Sequence, residues 1–318
     1  MISNKIAVTD HIKDFSIEKK FLGDLFEDKL NSKTTILLVW HKIINKEFLQ
    51  NYPLVKAIIR YGVGFDNIDI EYCKKKNIIV ANTPDYGIDE VADSALAMIL
   101  YLTRKIGSLE LLAKEDPNYW LGKEFNLKMK RLNKLSLGII GLGRIGGSIA
   151  KKFLPISKNI GFYDPYIPNG YEKVFGIKRY NTLEALLKET DILSINTPLT
   201  AKTRNMVNKD FLSKMKKGSY LINLSRGPIV ENQKLILEYL ISNHLEGYAT
   251  DVWAEEPPSI NDELYLSWLN NEEKLKGRII VNPHTAYFSE EALYESRSKA
   301  CLTCLDIVNN RFINNRIV

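Results

Sequence analysis

Ten short apolar runs recur along the chain, each separated from the next by a segment with helical patterning. The first four are "KIAV", "TTILLVW", "VKAIIR" and "NIIVAN", between Lys5 and Asn82. The other six are "LSLGII", "NIGFYD", "DILSIN", "SYLINL", "LEGYATDV" and "GRIIVNP", between Leu135 and Pro283. Typical separators are "TLEALLKE" and "NQKLILEYLIS", in which apolar residues return at helical spacing. Continuous rather than alternating apolar strands are buried on both faces, and strands that alternate with helices build parallel sheets. Ten strands are many for one such sheet, and 318 residues suffice for two domains of ordinary size. The predicted fold class is therefore α/β, with two doubly wound parallel-sheet domains.

"GIDEVADSALAMILYLTRKI", Gly87 to Ile106, is the longest helical pattern of the first half. Val91, Ala92, Ala95, Leu96, Ile99 and Leu102 give it a wide apolar face, which predicts burial at a domain or subunit contact. A polar, irregular stretch follows, from Lys114 to Lys134, and then a strand and a glycine-rich loop begin. The domain boundary is placed near residue 107. The closing pattern, "SEEALYESRSKACLTCLDIVNN", reads as a long helix that returns to the first domain.

The net charge of +6 comes from scattered lysines, the longest basic run being Lys74 to Lys76. Nothing interleaves basic clusters with aromatics, so nucleic acid is not an expected partner. The three cysteines, Cys73, Cys301 and Cys304, form no disulfide framework, which fits a reducing compartment. Cys301 and Cys304 have CxxC spacing but sit in a helical pattern without companion ligands, so no metal is expected. No basic-then-apolar leader opens the chain, and no apolar run reaches the roughly 18 residues of a membrane span. The expected setting is the cytoplasm, without membrane association.

"GLGRIG" contains G-x-G-x-x-G at Gly141, Gly143 and Gly146, after a predicted strand and opening a predicted helix. In that context the pattern reads as a dinucleotide site. Gly141 makes the tight turn, Gly143 lets the backbone approach a pyrophosphate, and Gly146 lets the helix pack on the strand. The helix start then offers free N–H groups to the phosphates. Asp164, 18 positions beyond Gly146, closes "NIGFYD". A carboxylate there accepts hydrogen bonds from a ribose 2′-hydroxyl and repels a 2′-phosphate, which predicts NAD rather than NADP.

A hydride acceptor bound beside NAD needs a cation for its anionic group and a proton donor for its carbonyl oxygen. Arg226 follows "YLINL", Asp251, Glu255 and Glu256 follow "EGYAT", and His284 follows "RIIVN". In an open parallel sheet the carboxyl ends of the strands face the ligand crevice, so three strand ends are expected to gather a guanidinium, a carboxylate and an imidazole. A carboxylate beside an imidazole favours its charged form, the form that can give a proton.

These segments resemble those of the D-isomer-specific 2-hydroxyacid dehydrogenases over nearly the whole chain. That family includes phosphoglycerate, lactate and glycerate dehydrogenases and the C-terminal-binding-protein corepressors. "YGVGFDNIDI" is similar to its substrate loop, "GLGRIG" with "YDP" to its cofactor motif, and "NLSRGPIV", "DVWAEEPP" and "NPHTAYFSEEA" to the segments with its catalytic arginine, glutamate and histidine. The resemblance implies that Arg226, Glu256 and His284 are catalytic, Glu256 rather than Glu255 because it directly precedes proline. It implies a Rossmann-type cofactor domain, residues 107–288, inserted into a flavodoxin-like substrate domain of residues 1–106 plus 289–318. It also implies a homodimer to which the 87–106 helix contributes. Further cofactor contacts would fall on Arg144, Ile145, Thr83, Thr197, Ser225 and Asp251. The substrate carboxylate would be held by Arg226 and by the backbone around Val63 and Gly64, where glycines at 62 and 64 leave bare N–H groups open to an anion. Arginine's planar fork suits a carboxylate better than lysine does. The pocket for the substrate's side chain is expected around Tyr61 and Tyr86.

One departure stands out. The segment from Pro257 to His284 is longer than in phosphoglycerate and lactate members, with Leu264, Leu266, Trp268 and Leu269 predicted to pack as a small helix. Two functions stay open on these residues: a dehydrogenase for a small D-2-hydroxy acid, or an NAD-sensing interaction protein like the corepressors. Turnover of a small 2-keto acid with NADH separates them.

Overall fold

A computed structural model describes residues 4–121 and 128–318. Residues 122–127, within the polar stretch after the long helix, lie outside the described residues. The chain forms two compact units, Met1–Gly87 with Phe288–Val318, and Ile88–Tyr287.

The first unit holds a five-stranded sheet: β1 (Ile6–Val8), β2 (Phe26–Glu27), β3 (Ile36–Val39), β4 (Ala57–Arg60) and β5 (Ile79–Asn82). Their spatial order is β2-β1-β3-β4-β5, the doubly wound order of flavodoxin-like folds, and every pairing is parallel. The four apolar runs fall on β1, β3, β4 and β5. The two-residue edge strand β2 has no apolar run and left no sequence signal. The C-terminal tail lies along β5, Ile317 N donating to Val80 O at 2.7 Å, which covers an edge that would otherwise be open to pairing.

The long final helix, Glu290–Val308, starts at Ser289, whose hydroxyl accepts from Ala292 N at 2.9 Å. It packs in the first unit against the helix Ser16–Leu22. Cys301 and Cys304 face the core there, and burial pushes the Cys301 thiol up to about 12 and the Cys304 thiol well above its ordinary value. Both are inert packing residues. A buried ion pair ties the same helices: Arg297 Nε donates to Glu18 Oε1 at 2.8 Å, its Nη2 donates to Oε2, and Tyr61 Oη donates to Oε1 at 2.7 Å. Tyr61 is thus turned into the core, and the expectation that it lines a substrate pocket is corrected. A pattern read one segment at a time gave no sign of Glu18 and Arg297, which are far apart in sequence.

The second unit holds a seven-stranded parallel sheet: β6 (Leu137–Ile140), β7 (Ile160–Tyr163), β8 (Lys178–Arg179), β9 (Ile192–Ile195), β10 (Ser219–Asn223), β11 (Leu245–Thr250) and β12 (Ile279–Val281). The order is β12-β11-β10-β9-β6-β7-β8. The chain moves outward from β6 through β7 to β8, then returns to the other side of β6 with β9. The gap between β6 and β9 is the topological switch point, where open α/β sheets bind ligands.

The unit boundary differs from expectation by one helix. Ile88–Thr103 belongs to the second unit, so the division falls at Gly87 and not after residue 106. The reason is packing. Val91, Ala92, Ala95, Met98, Ile99 and Leu102 join the core under β6, β7 and β10. Burying each large apolar side chain contributes about 1.5–3 kcal/mol. Small residues on both sides bring this helix close to Arg144–Phe153, and Lys152 Nζ meets Asp93 at 2.7 Å. The apolar face predicted for a domain or subunit contact is therefore used within its own unit.

Candidate active site

The loop after β6 is built for a close approach. Gly141 has φ +86°, and a Cβ there would lie 2.7 Å from Asn196 O. A Cβ on Gly146 would lie 2.1 Å from Gly141 O, so only glycine lets the Arg144–Phe153 helix sit down on the loop. Gly143 is different: a Cβ there would meet nothing within 4 Å. Its smallness keeps open space in front of the loop rather than relieving a clash inside it. Gly143 is also the N-cap, with no side chain to cap the helix, so the first-turn N–H groups, those of Arg144 and Ile145 among them, remain for a ligand.

Asp164 follows β7. Its Oδ2 accepts from Leu142 N at 3.0 Å and its Oδ1 from Tyr166 N at 2.9 Å, which fixes the carboxylate beside the glycine loop. The nearby Arg179 is committed elsewhere: Nε donates to Glu172 Oε2 at 3.0 Å and Nη2 to Pro168 O at 2.7 Å. Across the switch point, Thr197 follows β9. Its Oγ1 is buried and has no hydrogen-bond partner among the described residues, although a buried hydroxyl is normally satisfied. Bare N–H groups, an anchored carboxylate and an orphaned hydroxyl around one crevice fit a dinucleotide.

Three further strand ends lie in a row, on β10, β11 and β12. After β10, Ser225 N donates to Asn223 Oδ1 at 3.1 Å and Asn223 Nδ2 donates to Arg226 O at 3.1 Å, so one asparagine folds the turn that presents Arg226. Ser225 Oγ donates to Ile195 O at 2.7 Å, tying that turn to β9. Arg226 Nη1 donates to Ser225 O at 2.8 Å.

After β11, the turn ends at Glu256, whose Oε1 accepts from Trp253 N at 2.9 Å. Its Oε2 lies 2.7 Å from His284 Nδ1. With Nδ1 facing a carboxylate, Nδ1 carries the proton and Nε2 is left to face a reactant. Burial works to raise the Glu256 carboxyl. The bond from His284, the Trp253 amide and the charges of His284 and Arg226 outweigh it and hold the group below its ordinary value. It is Glu256, and not Glu255, that meets His284 among the described residues.

His284 has φ +54°, a left-handed conformation that costs a non-glycine residue about 1–3 kcal/mol unless its surroundings impose it. Asp251 imposes it. Asp251 is 3% exposed, and its Oδ1 accepts from Asn282 Nδ2 at 2.7 Å, Thr285 N at 2.8 Å and Ala286 N at 3.1 Å. Its main-chain oxygen accepts from His284 N at 2.8 Å. Asp251, expected to touch the cofactor, has its side chain engaged in holding the histidine loop. Ser225 likewise has an internal partner for its hydroxyl.

Thr83, Val63 and Gly64 lie in the first unit. Thr83 is fully buried; its Oγ1 accepts from Gly62 N at 2.6 Å and donates to Arg60 O at 3.2 Å. Its hydroxyl braces the glycine loop. Asn82 Nδ2 donates to Val63 O at 2.7 Å and holds the same loop. Val63 is exposed, and the N–H groups of Val63 and Gly64 meet no acceptor among the described residues. The supporting residues Asn82, Asn223, Asn282 and Trp253 were missed in the sequence, since each acts through a bond to a loop whose path only the fold reveals. Among the described residues no cluster of His, Cys, Asp or Glu could hold a metal ion, and no helix is long and apolar enough to cross a membrane.

A family model described as "D-isomer specific 2-hydroxyacid dehydrogenase, NAD binding domain" matches residues 96–286. The chain is 35% identical over 280 residues to a glyoxylate reductase of Thermococcus litoralis, covering 85% of this chain and 78% of that protein. It is 33% identical over 301 residues to a D-3-phosphoglycerate dehydrogenase of Methanocaldococcus jannaschii, covering 91% of this chain and 54% of the relative, so it spans about half of that protein's length. Among solved structures, a D-lactate dehydrogenase of Aquifex aeolicus complexed with NAD and lactic acid superposes with a TM-score of 0.86 at 28% identity, covering 99% of each chain.

Proposed function

The chain belongs to the D-isomer-specific 2-hydroxyacid dehydrogenases, and from that premise we propose that it interconverts a small 2-keto acid and the matching D-2-hydroxy acid with NAD(H). The observation that carries this reading is the His284 Nδ1–Glu256 Oε2 contact of 2.7 Å, with the charge of Arg226 acting on the same carboxylate. A cation for an anionic substrate and an oriented proton donor are the two things that carbonyl reduction requires of a protein.

The pyrophosphate of the cofactor is assigned to the Gly141–Gly146 loop and the first-turn amides at Arg144 and Ile145, the adenosine ribose to Asp164, and a hydrogen bond to Thr197. When bound, NADH supplies the hydride that the keto carbon accepts. Arg226 binds the carboxylate through two parallel N–H groups and sets the carbonyl's orientation. The free amides of Val63 and Gly64, in the first unit, are assigned to binding an anion. His284 gives its proton from Nε2 to the carbonyl oxygen, and in the oxidising direction takes it back. Glu256 keeps the ring oriented through Nδ1 and favours its charged form. Asp251 and Ser225 hold the loops that carry these groups. We also assign the chain to a homodimer; Trp120 and Leu121, 78% and 83% exposed, are apolar surface available for it.

The test is a panel of small 2-oxo acids with NADH, beginning with glyoxylate and pyruvate, the oxo acids that match the relatives' names. Consumption of NADH with formation of one equivalent of the matching hydroxy acid, of D configuration where it is chiral, supports the reading. Tight NADH binding with no turnover of any acid would replace it with a sensing role.

A further inference from the structure

Trp253 touches both Glu256 and the turn that presents Arg226. Its N–H donates to Glu256 Oε1 at 2.9 Å. Its carbonyl group packs against Gly227, next to Arg226, so tightly that a Cβ on Gly227 would lie 1.9 Å from Trp253 C and 2.0 Å from its O. The Arg226 turn and the Glu256 turn therefore share one backbone contact, in which neither side can move alone.

The indole points the other way, into the long segment that follows Pro257. Nε1 donates to Asp262 Oδ2 at 3.0 Å, while Asp262 Oδ1 accepts from Tyr265 N at 2.9 Å and caps the helix Glu263–Leu269. The Trp253 ring meets Tyr265 edge-on at 5.8 Å, and Tyr265 meets Trp268 at 5.6 Å. A cavity of about 430 Å³ lies among Trp253, Tyr265, Trp268, Val281, Glu256 and His284. The indole is buried in the apolar core of the unit, and its one polar atom is held by Asp262, so that bond sets which way the N–H edge of the ring faces.

We infer that Trp253, latched by Asp262, is a positioning residue that keeps Arg226 and the Glu256–His284 pair in register, and that the inserted segment serves to set this latch. The inference rests on the proposed function for its kinetic consequence, but not for its structural one. The charged groups facing the Glu256–His284 pair are Arg226 and Asp251, and neither is altered in the variants below.

Trp253→Phe keeps most of the ring and removes the indole N–H. Asp262→Asn keeps a good helix cap but replaces one of the two acceptor oxygens with an amide that cannot serve both bonds. Misplacing a catalytic group by about 1 Å can cost about a hundredfold in rate. Both variants are therefore expected to lose about ten- to a hundredfold in kcat for the keto acid, with NADH affinity unchanged, and to lose activity at lower pH on the alkaline side. The second readout needs no turnover. A carboxylate-bound imidazole N–H gives a downfield proton resonance, here assigned by its loss in Glu256→Gln; it should broaden or move upfield in both variants. Unchanged kcat, pH profile and resonance, even with a lower melting temperature, would overturn the inference. If the unmodified protein reduces no keto acid, the proposed function fails, and the resonance alone decides whether Trp253 positions the pair.

Discussion

Replacing Asp251 by alanine should cost about 2–4 kcal/mol of stability in the second unit and most of its activity. The carboxylate accepts from three donors, Asn282 Nδ2, Thr285 N and Ala286 N. Leaving a buried donor unsatisfied costs about 1–3 kcal/mol. Ala286 is buried and bears the full cost, whereas Asn282 and Thr285 reach solvent and recover part of theirs. The sum is about 3–5 kcal/mol, from which relaxation of the left-handed His284 returns about 1 kcal/mol. That relaxation removes the proton donor from its place, so kcat should fall further than stability explains. Asp251→Asn keeps the accepting oxygen and should cost less than about 1.5 kcal/mol. The pH dependence has a definite sign. Burial pushes the Asp251 carboxyl up, outweighing the amides of Thr285 and Ala286 and the charge of His284. The native state therefore holds this proton more tightly than the unfolded chain does. The stability contributed by the group falls as pH rises from the ordinary aspartate range through the raised native value, and Asp251→Asn should lack that slope. Urea unfolding at several pH values, followed by tryptophan fluorescence, measures all three. An alanine variant within about 0.5 kcal/mol of the unmodified protein would refute the reasoning, because surface substitutions stay in that range.

Further outcomes follow from the same geometry. Asp164 should give NADH about a hundredfold advantage over NADPH in kcat/KM, each 1.4 kcal/mol being tenfold; equal values would show that it does not read the ribose. Arg226→Lys keeps the charge and loses the fork, so KM for the keto acid should rise and kcat fall with NADH affinity unchanged. Glu256, held below its ordinary value, stays charged wherever the imidazole does. Glu256→Gln should move the alkaline limb of kcat/KM for reduction to lower pH, and a coincident limb would hand the role to another group. Arg297→Leu strands the buried Glu18 carboxylate and should destabilise the first unit by about 3–5 kcal/mol, read by urea unfolding.

Much of the architecture was legible because a strand buried on both faces must be apolar throughout. All ten runs are strands, and the two missed, β2 and β8, are two-residue edges reading "FE" and "KR". The long Ile88–Thr103 helix was read correctly as buried and misassigned by domain, since an apolar face tells that a helix is covered but not by what. Arg226, Glu256 and His284 were expected near one another because strand ends in a parallel sheet converge on one edge, and Glu256 and His284 do meet. Their supports could not be read in this way. Asp251 was read only as a ligand contact, because a carboxylate at a strand end is what binds one; that it also holds the 282–286 loop depends on the path of that loop. The role of Trp253 was visible only as a backbone contact with Gly227.

The central claim is that His284 protonates a keto oxygen while NADH is consumed. The direct measurement is the reduction rate of the best keto acid by His284→Gln, beside its NADH dissociation constant. The account predicts that turnover falls at least about a hundredfold at every pH, general acid–base catalysis contributing about 10²–10⁴, while NADH binds as before. A His284→Gln protein that reduces the keto acid at the unmodified rate would contradict it.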